Sequence, residues 1–302
     1  VALVQANQQL SYRQLLDEIG ARAQRLHRVG AQRLGLALDN GLEWVLWDLA
    51  ALVAGVVCVP VPGFFSPAQQ CHVLDSAGVD SLIGADSAAF AALGFVAVDG
   101  PMARRRLSAR AELPAGTVKI TYTSGTTGQP KGVCLDAEVQ LAVARSLWQA
   151  SLVCQVERHL CVLPLATLLE NIAGVYAPLL AGAAIELLPV AEVGLKGASQ
   201  FDLPSFLSCL HRVQPHSLIL LPQLLLALVT AAERGMPIAN SLRFVAVGGG
   251  RVSAQLLERA DALGLPIYEG YGLSECASVV CLNTPQQRKV GTAGTPLPHV
   301  QV

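Results

Sequence analysis

The chain has 302 residues, 52% of them hydrophobic and 14% charged, with a formal net charge of −1. So apolar a composition excludes a long disordered tail, and the near-neutral charge excludes a general pull toward nucleic acid or an anionic membrane surface. The length suits one large α/β domain or two smaller ones.

The predicted elements alternate helix and strand. Ser11 with Gln14 forms a capping-box start, and the helix that follows carries Leu15, Leu16, Ile19 and Leu26. A buried strand over 34–38 is stopped by Asp39-Asn40-Gly41. A helix is expected over 42–53 and a β-branched strand over 56–61. Ser66-Pro67-Ala68-Gln69 starts another helix, with Pro at the first helical position, and 79–83 is a strand. The rhythm resumes with a strand over 118–123, a helix over 137–148, a strand over 160–165 and a helix over 168–180. Strands over 184–188, 217–221 and 244–247 follow, with helices between them and after them. Continuous apolar strands alternating with amphipathic helices predict α/β architecture, with parallel-rich sheets covered by helices. The Ala-, Pro- and Gly-rich stretch 111–116 marks a division into sub-domains 1–113 and 114–302.

The remaining composition signals are mostly negative. None of the eight cysteines forms a C-x-x-C pair, and several sit in apolar runs. Free thiols in a reducing, cytoplasmic setting fit better than disulfides or zinc. The histidines, including His159 and His216, show no metal-ligand spacing and read as surface or satisfied core residues. Arg104-Arg105-Arg106 reads as a solvated turn. The most apolar stretch, 49–65, is cut by Gly55, Pro60, Pro62 and Gly63. It reads as a buried helix running into a strand, so no transmembrane segment is expected, while peripheral membrane contact stays open. A start at Val1 without Met and a stop at Val302 suggest a fragment.

Chemistry concentrates in Thr121-Tyr122-Thr123-Ser124-Gly125-Thr126-Thr127-Gly128-Gln129-Pro130-Lys131-Gly132, expected to follow a strand and precede a helix. Gly125 and Gly128 let backbone N–H groups turn inward. Thr123, Ser124, Thr126 and Thr127 add hydroxyl donors, and Lys131 adds positive charge. Together these suit phosphate. Lys131 is followed by Gly132 rather than Ser or Thr, which excludes a Walker P-loop. A flexible Gly/Thr-rich surface loop is the plainer alternative. A second run is Tyr268-Glu269-Gly270-Tyr271-Gly272-Leu273-Ser274-Glu275, where a strand is expected to end near Tyr268 at a sheet's carboxyl edge. Tyr271 offers a face for a base, Ser274 a small hydroxyl, and Glu275 a hard oxygen ligand suited to Mg2+. Gly248, Gly249 and Gly250 after Val247 give either a tight turn or a surface on which a flat ligand lies against backbone.

These motifs resemble those of the adenylate-forming enzymes: acyl-CoA synthetases, peptide-synthetase adenylation domains and luciferases. Tyr122 to Gly132 is similar to their phosphate loop, Tyr271-Gly272-Leu273-Ser274-Glu275 to their Y-G-x-[ST]-E segment, and Val247 to Gly250 to their pocket-lining glycines. The likeness extends to Gly294-Thr295-Pro296. It implies the large N-terminal, nucleotide- and acyl-binding domain of that family over 1–302, with the small C-terminal domain absent. It also implies activation of a carboxylic acid by ATP with Mg2+ to an acyl-AMP, then thioester formation with coenzyme A or a carrier-protein thiol. Thr123, Ser124, Gly125, Thr126, Thr127, Gly128, Lys131, Gly248 to Gly250, Glu269, Gly270, Tyr271, Gly272 and Ser274 would hold the nucleotide. Lys131 and Glu275 would act in catalysis, and Glu275 with Thr126 would hold Mg2+.

Leu163-Pro164-Leu165-Ala166-Thr167-Leu168-Leu169-Glu170-Asn171 looks like the family's substrate-side motif. Thr167 stands where a His or aromatic is frequent. Thr167, Leu168, Gly249 and Gly250 would line the acyl pocket, and the apolar run after Thr167 resembles fatty-acid-activating members. On composition alone, a core helix explains that run better. The family's ribose-gripping aspartate, hinge and late mobile lysine would fall after Val302, so this chain alone is expected to bind nucleotide weakly and turn over poorly. An acyl-AMP ligase loading a carrier protein, and a non-catalytic nucleotide-binding scaffold or sensor, are the alternatives.

Overall fold

Four short apolar strands lie parallel in the spatial order Ser81–Ile83, Arg33–Leu36, Val57–Pro60 and Thr117–Thr123. The first three are buried on both faces, which is why they read as unbroken apolar runs. The computed structural model describes residues 1–84, 88–123, 128–196 and 200–301. It divides into two units, Leu10–Val139, and Val1–Gln9 with Gln140–Val302.

In the Leu10–Val139 unit the sheet has seven strands among the described residues. Lys131–Asp136 pairs antiparallel beside Thr117–Thr123, and Met102–Arg104 and Val96–Asp99 add antiparallel strands beyond Ser81–Ile83. These additions escaped the sequence pattern because they are short and unevenly buried. Helix Tyr12–Val29 begins at Ser11, whose Oγ accepts the Gln14 N–H at 3.2 Å while Gln14 Oε1 accepts the Ser11 N–H at 2.9 Å. It buries Leu15, Ile19, Ala23 and Leu26. Leu16 is exposed, because one residue of α-helix rotates a side chain by about 100°.

The arginine run differs from the solvated turn expected. The buried Arg105 guanidinium donates to the Leu74 and Val79 carbonyls at 2.8 Å each, and Arg104 donates to the Val29 and Gly30 carbonyls. Carbonyls at helix C-termini need donors from outside the helix and favour a cation. Only Arg106 is exposed. The division expected at 113/114 falls inside this unit. Thr117–Thr123 joins the sheet with Lys119 opposite Cys58, and Lys119 Nζ pairs with Asp48 of helix Leu42–Ala54 at 2.8 Å, both buried.

In the other unit six strands run parallel in the order Ile267–Leu273, Phe244–Val247, Ser217–Leu220, Arg158–Leu160, Ala184–Glu186 and Leu3–Gln5. Ser278–Leu282 and Thr295–Pro296 extend the sheet antiparallel past Ile267–Leu273. Leu160, Leu218, Leu220, Val245 and Ile267 form the core with Phe206 and Leu210 of helix Leu203–Val213 and with Leu225, Leu228 and Val229 of helix Pro222–Glu233. The helix expected over 168–180 is a π-helix, Glu170–Tyr176, leading into an α-turn, Ala177–Leu180. The Ala177 N–H reaches back to the Ile172 carbonyl. Pro178 has no N–H to offer Gly174 four residues earlier, and the Cys161 thiol donates to the Gly174 carbonyl at 3.6 Å instead.

All eight cysteines are free. Among the described residues no helix is long and apolar enough to cross a membrane.

Candidate functional site

The predicted phosphate loop joins two antiparallel strands, not a strand and a helix as expected. Thr123 stands opposite Lys131, and Tyr122 opposite Gly132. Helix Ala137–Ser151 begins only after the second strand. Ser124, Gly125, Thr126 and Thr127 lie outside the described residues. Gly128 is exposed with φ +84°, a left-handed conformation that favours glycine. Both stems of the loop are held by helix Pro67–Ser76. His72 Nε2 donates to the Pro130 carbonyl at 3.1 Å, and the Tyr122 hydroxyl lies 2.7 Å from Ser76 Oγ. Burial pushes the Tyr122 phenol up from its ordinary value, partly offset by the Ser76 hydrogen bond. Lys131 is exposed, and no carboxylate among the described residues pairs with it.

The glycine triplet sits in the other unit, at the carboxyl end of strand Phe244–Val247. Gly249 has φ +75°, and a Cβ there would stand 2.8 Å from Leu221 Cδ2. A Cβ on Gly248 would lie 3.5 Å from the Gly270 carbonyl and 4.0 Å from Leu169 Cδ2. The structure therefore brings together three stretches that the sequence left separate: the triplet, Gly270 and the substrate-side segment. Gly249 and Gly250 are exposed.

The neighbouring strand does not end near Tyr268, as the sequence predicted. Glu269 pairs parallel with Val247, and from Gly270 onward the same strand pairs antiparallel with Ser278–Leu282. The register shifts between Tyr271 and Gly272, where a Cβ on Gly272 would be 1.7 Å from the Ser278 carbonyl. Asn283 anchors the crossover, its backbone N–H and Nδ2 both donating to the Glu269 carbonyl at 2.9 and 3.0 Å. Tyr271 is 54% exposed. Glu275 is exposed on the 3-10 turn Ser274–Cys276, and its carboxylate has no partner among the described residues.

Glu269 is the unusual carboxylate. Oε1 accepts the Val252 N–H at 3.4 Å, whereas Oε2 is buried with no hydrogen-bond partner among the described residues. Partial burial raises its pKa from the ordinary value of 4.5, against the opposing pull of the Val252 N–H and Arg251. A buried acceptor without a donor is a costly arrangement in isolation and a natural place for a ligand's N–H.

On the substrate side, the Thr167 hydroxyl and N–H both donate to the Pro164 carbonyl, at 2.7 and 2.9 Å. Leu168 is 6% exposed and belongs to the core. Leu169, absent from the expected pocket residues, is the one that reaches Gly248. Sequence reasoning also missed the buried Glu170, whose Oε1 lies 3.3 Å from His159 Nε2 and whose Oε2 accepts the Leu163 N–H at 3.0 Å. The available signal was a lone carboxylate opening an apolar run. It became readable only once His159, on a separate strand, was placed beside it.

Comparison with known proteins bears on this arrangement. The family model described as "AMP-binding enzyme" matches residues 1–302. The 2-succinylbenzoate–CoA ligase of Enterococcus faecalis is 28% identical over 282 residues, which is 90% of this chain and 55% of the relative. The fatty acid–[acyl-carrier-protein] ligase MmaC of Mycobacterium marinum is 28% identical over 323 residues, 97% of this chain and 59% of the relative. The chain thus spans a little over half the length of these relatives. The crystal structure of the anthranilate CoA ligase AuaEII in complex with anthranoyl-AMP shares the fold, with a TM-score of 0.80 at 20% identity, covering 98% of this chain and 60% of that one. With a family model matched from end to end, the chain belongs to the AMP-binding enzyme family.

Proposed function

We propose that this protein uses ATP to activate a carboxylic acid, forming an acyl-AMP and releasing pyrophosphate. The observation that carries the reading is the bare backbone of Gly248 to Gly250 at the carboxyl end of a parallel sheet, beside a strand that offers an exposed Tyr271 ring and an unpartnered Glu269 oxygen. Open α/β sheets bind ligands at that edge. Tyr271 stacks on the adenine, Glu269 Oε2 accepts from its exocyclic amino group, and the glycines admit a flat ligand against backbone.

In the reaction a carboxylate oxygen attacks the α-phosphorus, and the bond to the bridging oxygen breaks. Pyrophosphate leaves with that electron pair, and no proton changes hands. The protein's task is to position the acid and neutralise the departing charge. By their chemistry, Lys131 and the hydroxyls of Thr123, Thr126 and Thr127 in the phosphate-loop sequence are the groups suited to that charge. Glu275, an exposed unpaired carboxylate, fits Mg2+, which would add positive charge at the phosphates. In the complete protein the acyl group then passes to a thiol, that of coenzyme A or of a carrier protein.

Leu169 against Gly248 makes the acid's near wall apolar. That favours an acid with a hydrocarbon body over an amino acid, whose ammonium group needs a carboxylate. A fatty acid is the first reading, met by the half-buried Leu169, since Leu168, Ile172 and Val175 of the same run are buried in the core. An aryl acid is the second reading, favoured by relatives named for 2-succinylbenzoate and anthranilate.

The test is carboxylate-dependent ATP–pyrophosphate exchange by the complete gene product, without coenzyme A, across short to long fatty acids, aryl acids and amino acids. Exchange with one class establishes adenylation and names the acid. Nucleotide binding with no exchange on any acid would replace this reading with a non-catalytic nucleotide-binding protein.

A further inference from the structure

Glu170 opens the π-helix Glu170–Tyr176 and is fully buried. Its two oxygens point to different partners: Oε2 accepts the Leu163 N–H at 3.0 Å, and Oε1 lies 3.3 Å from His159 Nε2. His159 Nδ1 in turn lies 2.9 Å from Ser217 Oγ on the next strand. The carboxylate therefore ties the start of the π-helix both to the end of strand Arg158–Leu160 and to a neighbouring strand beyond it. The backbone between Leu163 and Glu170 bulges out as a closed loop. Inside that loop Thr167 is pinned to the Pro164 carbonyl, and the Asn171 N–H bonds the Thr167 carbonyl at 3.1 Å. At its far end Leu169 Cδ2 lies 4.0 Å from where a Cβ on Gly248 would stand.

Gly174 seals the arrangement from the next turn. A Cβ there would be 2.3 Å from Glu170 Oε1 and 2.9 Å from His159 Nε2. π-Turns inside helices are frequent at functional sites, and here the wide turn places a buried carboxylate under a loop that faces the glycine triplet.

We infer that Glu170 is a positioning residue that clamps loop 163–169 through the Leu163 N–H and His159, and so fixes the apolar wall against which the substrate acid lies. The inference rests on the adenylation reading for the identity of the ligand, but the clamp is a property of this loop alone. His159, Cys161 and Glu170 also place donor atoms within 4.8 Å of one another, a set that suits zinc. The hydrogen bonds close the network without an ion, since both His159 nitrogens and both Glu170 oxygens are engaged.

Glu170→Ala removes both ties, whereas Glu170→Gln keeps an acceptor for Leu163 and offers an amide N–H to His159 Nε2. Hydrogen–deuterium exchange on the complete gene product reads the clamp directly. Glu170→Ala should speed exchange of peptides covering 160–170 by tenfold or more, with the Pro222–Glu233 helix unchanged and Glu170→Gln restoring protection. In pyrophosphate exchange, Glu170→Ala should raise the KM of the acid fivefold or more while the KM of ATP stays within twofold, and Glu170→Gln should stay within twofold for both. Should the alanine variant not fold, Thr167→Val, which removes the hydroxyl tie to the Pro164 carbonyl and keeps the backbone one, should move the acid KM in the same direction by a smaller factor.

Equal rises in both KM values, a glutamine variant as impaired as alanine, or exchange loosened evenly through the sheet would each overturn the clamp. So would one zinc per chain that is lost in Glu170→Gln. A wild-type protein inactive on every acid would sink the adenylation reading, while the amide-exchange comparison would still decide the clamp.

Discussion

Tyr122 and Gly132 face each other across the hairpin so closely that a Cβ on Gly132 would stand 3.0 Å from the Tyr122 ring and 2.8 Å from Ile120 Cγ2. The glycine is required by its neighbours, not by a turn. Ile120 is buried and cannot give way, so Gly132→Ala must push the Tyr122 ring and strain its contact with Ser76. The expected cost is about 1–3 kcal/mol by urea unfolding. Tyr122→Phe keeps the packing and loses one hydrogen bond, for about 0.5–1.5 kcal/mol. An alanine variant as stable as wild type would show that the stem is not packed as described.

Lys131 gives the opposite profile. Its ammonium is exposed and unpaired among the described residues, so folding makes little use of it. Lys131→Ala should leave unfolding free energy within about 0.5 kcal/mol. Pyrophosphate exchange should fall by roughly a hundredfold if the charge stabilises the leaving group. Lys131→Arg keeps the charge but alters its shape, and should fall between the two. Exchange unchanged in the alanine variant would remove Lys131 from the proposed chemistry.

The contrast between local and long-range signals explains what could be read from the sequence. Both capping boxes, Ser11 with Gln14 and Ser66 with Gln69, were legible because each closes within one turn of chain. The central parallel strands were legible because burial on both faces leaves an unbroken apolar run. Lys131–Asp136 was not, because its pairing depends on register with Thr117–Thr123, and Lys131 and Gly132 carry no strand signal. Around Tyr271 the sequence pointed to a strand ending near Tyr268, whereas the strand continues to Leu273. What lets the strand run through to Leu273 is the Ser278 carbonyl packed on Gly272, a contact between segments that local pattern does not encode. Likewise, the arginine run looked solvated until the helix ends that receive Arg104 and Arg105 were in place.

Two glycines near the proposed nucleotide site should separate folding from binding. Gly272 has no room at all, with a Cβ falling 1.7 Å from the Ser278 carbonyl, so Gly272→Ala should disrupt the crossover and cost about 3 kcal/mol or more. Gly250 is exposed, its nearest neighbour to a new Cβ being Pro222 Cγ at 3.4 Å. Gly250→Ala should therefore fold with wild-type stability, within about 0.5 kcal/mol, and should still weaken binding of nucleotide or acid, because the methyl occupies the face proposed to meet the ligand. Calorimetric titration with ATP and with the acid found by exchange would check it. Unaltered affinity for both would move the site away from the triplet.

Glu269 carries a prediction for pH, stability and, through the proposed adenine contact, nucleotide choice. Its pKa in the folded chain is raised by burial above the ordinary 4.5. An acid with a raised folded pKa contributes stability that is fully present below its unfolded pKa and is lost as pH rises through the folded value. Above that window the folded protein carries the cost of an ionised, half-buried carboxylate. Glu269→Gln removes the ionisation, so at neutral pH the variant should be at least as stable as wild type, with its advantage shrinking as pH falls toward 4.5. Thermal unfolding across pH 4 to 8 reads this difference. A variant less stable at neutral pH by the same margin at every pH would show that the carboxylate is held by partners rather than left short of one. The same substitution should blur the choice of base. A carboxylate accepts from the adenine amino group and repels the guanine carbonyl, whereas an amide serves either. Preference for ATP over GTP in pyrophosphate exchange should therefore drop about tenfold in Glu269→Gln, and a preference that stays at the wild-type value would place the adenine edge elsewhere.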